Sequence, residues 1–281
     1  MTVCLDAGHW GNYNRSPAVP AYYESRAMWQ LHLYLKAALE AQGIAVKTTR
    51  TDPEKDMGLT DRGRAAKGCD LFLSLHSNAV GSRVDEKTDY VAVYHLTADK
   101  GTSADDRSKE LAQKIAPVIV ITMGVNQGSK VLSRLAKTDK NKDGALNDNY
   151  YGVLNGARQV NVPGLILEHS FHTNTRAANY LLQEENLKTL ARAEAEVIAA
   201  FLKTGEEVTY TMELKTLKKG MKGENVRALQ ILLSGRGIAC DPDGSFGPAT
   251  DQALRSYQQQ KGLTVDGKAG PATMKSLLGV G

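Results

Sequence analysis

Cysteine, long apolar runs and an N-terminal hydrophobic segment are scarce in this 281-residue sequence. Its 3 cysteines, Cys4, Cys69 and Cys240, are too few and too scattered for a disulfide framework or a cysteine-built zinc site. Cys4 and Cys69 lie in apolar, strand-like runs, where a thiol behaves as a small hydrophobe, and all three read as reduced and structural. The longest apolar run, Ile115 to Val125, is interrupted by Pro117 and Thr122 and falls well short of the ~20 residues a membrane span needs. Met1 to Asp6 offers no basic segment leading into an apolar one, which excludes a secretory signal in the sequence as it stands. What is present, 42% hydrophobic and 23% charged residues, describes an ordinary soluble globular protein, and the length suggests two domains.

Charge is unevenly spread. Residues 1–213 hold 25 basic and 26 acidic side chains, a balance of −1, whereas residues 214–281 hold 10 and 5, a balance of +5. A small basic module on a neutral body suggests a polyanionic target: nucleic acid, anionic lipid or an anionic cell wall.

Segments of strand and helix period alternate through the first two-thirds, which predicts an α/β domain over 1–203 with a twisted, mostly parallel sheet flanked by helices. Thr2–Leu5 reads as a strand ending in Asp6-Ala7-Gly8-His9. Met28, Leu31, Leu35 and Leu39 are spaced for a helix over Glu24–Gln42, with Gly43 as its cap. Strands are expected at Ile44–Arg50, Asp70–Leu75, Tyr90–His95 and Leu165–Phe171, and helices at Thr60–Lys67, from a Ser103/Asp106 capping box, and over Glu184–Lys203. Thr204-Gly205-Glu206-Glu207 opens a linker, 204–213. Beyond it, Asp243-Gly-Ser-Phe-Gly-Pro-Ala-Thr250 and Asp266-Gly-Lys-Ala-Gly-Pro-Ala-Thr273 repeat D-G-x-x-G-P-A-T at a spacing of 23 residues. Asp-Gly suits a turn and Pro the first turn of a helix, so 214–281 is predicted to be a small helical domain built by duplication.

In α/β sheets ligands gather where strands end. His9 follows the first strand, His76 ends the strand 70–75, Glu24 opens the first long helix and Glu168 lies in the strand 165–171. Two His and one Glu make a typical catalytic zinc set with a position left for water, and a second Glu would serve as general base. Spread over more than 150 positions, these residues do not by spacing alone establish a metal site.

The words around them add to that. Leu5-Asp6-Ala7-Gly8-His9, then Leu59-Thr60-Asp61-Arg62 through Asp70-Leu-Phe-Leu-Ser-Leu-His76-Ser-Asn78-Ala79, then Leu165-Ile-Leu-Glu168-His-Ser170-Phe-His172-Thr-Asn174 resemble, in order, three signatures of the zinc-dependent N-acetylmuramoyl-L-alanine amidases, the amidase_3 family. The resemblance covers roughly 1–203. It implies that His9, Glu24 and His76 hold Zn²⁺ and that Glu168 is the catalytic carboxylate, cutting the amide between N-acetylmuramic acid and L-alanine in peptidoglycan. Glu24 is also the only acidic residue between His9 and Glu40. Ser170 departs from the Gly that members often carry there, a matter of local backbone fit. The C-terminal repeat resembles the peptidoglycan-binding domain type 1, a three-helix wall-binding module. The implied partner is bacterial peptidoglycan, whose teichoic acids would account for the +5 charge; the lack of a basic, aromatic-interleaved stripe argues against nucleic acid. A zinc peptidase on another wall amide and a non-catalytic wall-binding protein stay open. Without a signal peptide, the expected setting is a phage or prophage endolysin made in the bacterial cytoplasm and released to the wall. Met212 leaves room for a shorter product from an internal start.

Several residues carry weaker expectations. Asn78 is expected to orient a ligand, bond substrate, or simply shape its loop. His172 shares the face of Glu168, and so the substrate cleft, if the strand continues, while His169 points the opposite way and reads as structural. His32 and His95 read as structural, Arg62 as a helix-to-sheet salt bridge, and Phe246 and Tyr257 as core. Asp139-Lys-Asn-Lys-Asp143-Gly144 imitates half of a calcium loop, but Tyr150 stands where a bidentate Glu is needed, so the segment reads as a polar surface loop.

Overall fold

The computed structural model describes residues 1–97, 102–138, 148–203 and 216–278. The linker 204–213 with Met212, and the segment Asp139–Gly144, lie outside these residues. The chain divides into two compact units, Met1–Met123 with Ser129–Glu207, and Gly124–Gly128 with Val208–Gly281.

The first unit is built on a six-stranded sheet of β1 (Thr2–Ala7), β2 (Ala45–Thr48), β3 (Leu71–Asn78), β4 (Val91–His95), β5 (Ser129–Leu132) and β6 (Gly164–Phe171), in the order β2-β1-β3-β6-β4-β5. Every neighbouring pair is parallel except β4–β6, so the sheet is the mostly parallel one expected. The central strands read as continuous apolar runs because both faces are covered by helix. α1 (Glu24–Ala41) and α3 (Ser103–Met123) pack on the sheet and against α6 (Glu184–Lys203). Cys4, Phe72 and Ile166, whose side chains share one face by the period of two, are buried with Val153, Leu154 and Ala157. Those last three belong to α4 (Gly152–Gln159), which lies on α2 (Leu59–Arg64); α5 (Thr175–Leu182) follows β6.

Three elements carry no clear period and were not expected. β5 is a short edge strand paired only with β4. α5 is announced by one residue, Asn174, whose Oδ1 accepts the Ala177 N–H at 3.2 Å. α4 contains Gly152, Asn155 and Gly156, all weak helix formers, and its place is decided by packing. A Cβ on Gly156 would stand 2.0 Å from the Thr60 carbonyl oxygen, and one on Gly63 2.0 Å from that of Val153, so α2 and α4 meet backbone to backbone. The start of α3 also differs from expectation by one residue. Thr102, not Ser103, is the cap: its N–H donates to Asp105 Oδ2 at 2.8 Å while Asp105 N–H donates to Thr102 Oγ1 at 3.3 Å.

The second unit holds α7 (Glu224–Gly235), α8 (Pro248–Gln260) and α9 (Pro271–Leu278), the three helices expected. Phe246 and Tyr257 are buried in its core with Leu229 and Leu254. The duplicated D-G-x-x-G-P-A-T segments share one buried device. Gln230 Nε2 donates to Asp243 Oδ1 (2.8 Å) and Thr250 Oγ1 (2.9 Å), and its Oε1 accepts from Gly244 N–H (2.8 Å). Gln258 does the same with Asp266 (2.9 Å), Thr273 (3.2 Å) and Gly267 (3.0 Å). The Asp, Gly and Thr of each repeat therefore answer to a glutamine on the preceding helix.

Replacing Gly156 with Ala should force α2 and α4 apart and cost about 3 kcal/mol, the upper end of ordinary overpacking. Denaturant unfolding of the pure protein reads this; a loss of a few tenths would show that the helices are free to separate.

Candidate active site

Parallel register sets the centre of the site: His76 on β3 is the direct strand partner of Glu168 on β6, so both side chains rise from the same face of adjacent strands. β1 brings the third group. Gly8 N–H continues the ladder to Leu75 O at 2.9 Å, and a Cβ on Gly8 would lie 2.5 Å from that same oxygen, so only glycine permits this approach. His9 then turns into the left-handed region at φ 57°, an uncommon conformation for a residue with a side chain. Two guanidinium groups grip the turn. Arg50 Nη2 donates to Ala7 O at 2.6 Å and to His9 O, and Arg62 Nη1 donates to Ala7 O at 3.3 Å. The result is a His9 ring 5.0 Å from that of His76.

Glu24, the first residue of α1, completes the group at only 1% exposure. Its Oε1 accepts the Ser77 N–H at 3.1 Å and lies 2.9 Å from His76 Nδ1. Its Oε2 accepts from Asn14 Nδ2 at 2.6 Å and lies 3.3 Å from His9 Nε2. Burial alone would raise this carboxyl, but the hydrogen bonds and charges of His76 and His9 hold it well below the usual carboxylate range. In His76 burial works downward and is overcome by the bond to Glu24 and its charge, which push the imidazole up to about 9. A place that draws a proton so strongly between a carboxylate and an imidazole also draws a cation.

The donor atoms of His9, Glu24 and His76 all lie within 4.8 Å of one another. Two imidazole nitrogens and one carboxylate oxygen, largely withdrawn from water, are a zinc donor set. Glu168 stands beside them with its Oε2 buried and without a hydrogen-bond partner among the described residues. Burial pushes its carboxyl up to about 7 against the pull of His76, with the charge of Glu24 adding to the rise. A buried carboxylate oxygen left unbonded is costly unless something at the site engages it. The residues present fit a metal ion with a neighbouring general base.

His172 takes a different place from the one its spacing suggested. Between the pairs His76–Glu168 and Asn78–Phe171, two residues of β6 (His169 and Ser170) oppose one of β3 (Ser77), a bulge that breaks the alternation. His172 is carried off the face of Glu168 and buried behind Glu24, its Nδ1 3.0 Å from Ser77 Oγ and 3.9 Å from Glu24 Oε2, its ring stacked on Tyr22. It is 4% exposed and lies against Glu24. The bulge also explains Ser170, which sits at φ 59° where glycine is at ease; its Oγ donates to Asp89 Oδ1 at 2.6 Å, and Asp89 is gripped by Arg176. Asn78 ends β3, half-buried, and its Oδ1 accepts the adjacent Ala79 N–H at 2.8 Å.

His169 is structural: its Nε2 pairs with Glu194 of α6 at 2.6 Å, both side chains wholly buried. His32 and His95 bond backbone carbonyls at 2.9 and 2.6 Å. Arg62 reaches Asp6 of β1 at 3.6 Å, the helix-to-sheet pair expected. Missed from the sequence were Asn14, which touches both His9 Nε2 (3.1 Å) and Glu24, and Tyr13, stacked on the His9 ring at 5.0 Å. Both lie in the aperiodic stretch before α1, where no pattern marks them.

Comparison with known proteins agrees with this geometry. The N-acetylmuramoyl-L-alanine amidase family (Amidase_3) matches residues 3–200, and a peptidoglycan binding domain family (PG_binding_1) residues 222–277. A solved N-acetylmuramoyl-L-alanine amidase from Clostridium difficile 630 is similar at 25% identity and a TM-score of 0.58, over 73% of this chain and 98% of that one. The catalytic domain of CwlV from Bacillus (Paenibacillus) polymyxa var. colistinus shares the fold at 20% identity and a TM-score of 0.55, over 72% and 97%. Among curated relatives, the zinc D-Ala-D-Ala carboxypeptidase of Streptomyces albus G is 46% identical over 65 residues, 22% of this chain and 26% of its own length. The amidase CwlL of Bacillus licheniformis is 43% identical over 68 residues, 23% and 19%. The chain thus spans about a quarter or less of these curated relatives. The Amidase_3 match runs from β1 to the last turn of α6, the whole of the sheet and its helices, and the chain belongs to the N-acetylmuramoyl-L-alanine amidase family.

Proposed function

We propose that this chain is a zinc-dependent amidase that cuts the bond between the lactyl group of N-acetylmuramic acid and L-alanine in bacterial peptidoglycan, held on the wall by its C-terminal unit. The observation that carries the reading is the cluster of His9, Glu24 and His76 donors with Glu168 as the strand partner of His76. Family membership supports the choice of substrate. His9, Glu24 and His76 would hold the zinc, which when bound polarises a carbonyl and acidifies water.

Glu168 does the proton work. Its unbonded Oε2 takes a proton as the oxygen of water bonds to the carbonyl carbon, and returns it to the alanine nitrogen as the carbon–nitrogen bond breaks. Without that delivery the nitrogen would have to leave as an amide anion. A carboxyl raised by burial to about 7 is poised to do both near neutral pH, and a bound cation's charge moves it back down. Trp10 and Tyr13, 41% and 52% exposed beside His9, offer flat faces to the glycan, and Asn78 a polar group at the end of β3. The C-terminal unit meets the wall through the excess of 5 positive charges in residues 214–281, which suits the phosphodiesters of teichoic acids.

Incubation with purified Gram-positive walls should expose new alanine amino termini, and a zinc chelator should abolish them; other amino termini would make the chain a peptidase, and binding without release would make it a wall-binding protein. Glu168→Gln should keep zinc bound and lower turnover by about 10²–10⁴-fold. Retention of more than a few per cent of the rate would remove Glu168 from its role. Walls stripped of anionic polymers should bind the full chain more weakly, and added salt should remove the difference. The endolysin setting belongs to the same reading: cytoplasmic expression of the chain in a Gram-positive host should lyse cells only when a membrane pore is supplied.

A further inference from the structure

His76 has two ring nitrogens, and only an unprotonated one binds metal. One of them, Nδ1, faces Glu24 at 2.9 Å; the other, Nε2, lies 3.2 Å from Ser74 Oγ. Ser74 is wholly buried, and its hydroxyl donates its single proton to Asp6 Oδ2 at 2.7 Å. Asp6, also wholly buried, is surrounded by donors: Thr49 Oγ1 bonds its Oδ1 at 2.7 Å and Arg62 Nη1 lies 3.6 Å from the same oxygen. Neither Asp6 nor Ser74 touches Glu24, His9 or Glu168 through any bond described above.

We propose that Asp6, acting through Ser74, is the positioning residue that fixes the tautomer of His76 and so makes its Nδ1 the metal-binding atom. The chain of donors leaves one arrangement. A carboxylate only accepts, so the Ser74 proton must point to Asp6. With that proton committed, Ser74 Oγ meets His76 only as an acceptor, and the imidazole proton must sit on Nε2. Nδ1 is then the nitrogen that faces Glu24: without a metal it shares a proton with that carboxylate, and a bound cation would displace that proton while the Nε2 proton stays on Ser74. Metal-bound histidines commonly donate their second nitrogen to a carboxylate, which sets ring orientation and raises ligand basicity. Here a serine is interposed, and the carboxylate comes from β1, the strand that also delivers His9. Arg62, which grips the turn at Ala7 O, also lies against Asp6, so one guanidinium serves the placement of both histidines.

The inference rests on the metal reading above, and zinc binding by the unaltered protein separates the two. Zinc affinity is measured by competition with a chromogenic chelator, and the His76 tautomer in the zinc-loaded protein by long-range ¹H–¹⁵N NMR. The unaltered protein should bind zinc with His76 protonated on Nε2. Ser74→Ala should raise the zinc dissociation constant about 10-fold, and Ser74→Thr, which keeps the hydroxyl, should restore most of it. Asp6→Asn should do more harm than Ser74→Ala, approaching about 100-fold. Thr49 and Arg62 would hold the amide oxygen where Asp6 Oδ1 now lies, leaving the amide NH₂ to donate to Ser74. Ser74 would then turn its own proton onto Nε2 and drive the imidazole proton to Nδ1. A purely structural role predicts no such order and no change of tautomer. Wild-type affinity in both variants, or a proton on Nδ1 of the zinc-loaded unaltered protein, overturns the proposal; the NMR result decides it even if a variant fails to fold. If the unaltered protein takes up no zinc, the metal reading falls and this inference with it.

Discussion

Glu24 is a carboxylate taken almost wholly out of water, and much of the site follows from what it costs to keep it there. An unpaired buried charge is untenable, so four donors converge on its two oxygens from two stretches of the chain: Asn14 and His9 from the stretch after β1, and the Ser77 N–H and His76 from β3. Replacing the carboxylate would leave two imidazoles and a backbone N–H facing nothing. The same concentration of negative charge in a dry place suits a cation, so what holds α1 to the sheet and what would hold a metal are one interaction.

Support for this cluster comes from both sides of the sheet. Behind Glu24 stand Ser77, His172 and Tyr22, tied by bonds of 3.0 and 2.7 Å. Behind His76 stand Ser74 and Asp6, and behind β6 the buried pair His169–Glu194 fixes the strand, His169 Nδ1 bonding the His76 carbonyl at 2.9 Å. Glu168 and Glu194 each keep one buried carboxylate oxygen unbonded among the described residues, but Glu194 is paired through its other oxygen with His169, whereas Glu168 stands on the face of the His76 side chain.

The two units use polar burial differently. In the first unit buried charges converge on one place, around Glu24. In the second unit Gln230 and Gln258 are fully used up in fixing the Asp-Gly turns of the repeat, with Phe246 and Tyr257 filling the core between helices.

Much of the first unit was legible in the sequence, since strands buried on both faces must be apolar throughout and helices such as α1 and α6 must show an apolar stripe. Strand ends mark where His9, His76 and Glu168 stand, because a chain leaving a sheet puts its next residues at the rim. The sequence could not show α4, whose glycines look like helix breakers until Gly63 and Gly156 are seen to let two backbones touch. Nor could it place His172: a period of two predicts the face of a side chain only while the ladder is regular, and one extra residue in β6 breaks the ladder just before this imidazole, which comes to lie against Ser77 and Glu24. The sequence alone determined which residue types stand at the ends of which strands. Tertiary structure decided which of them meet, because the bulge, the left-handed turns at His9 and Ser170, and the bonds from Asn14, Ser74 and Asp6 join segments far apart in the chain, and no local pattern records them.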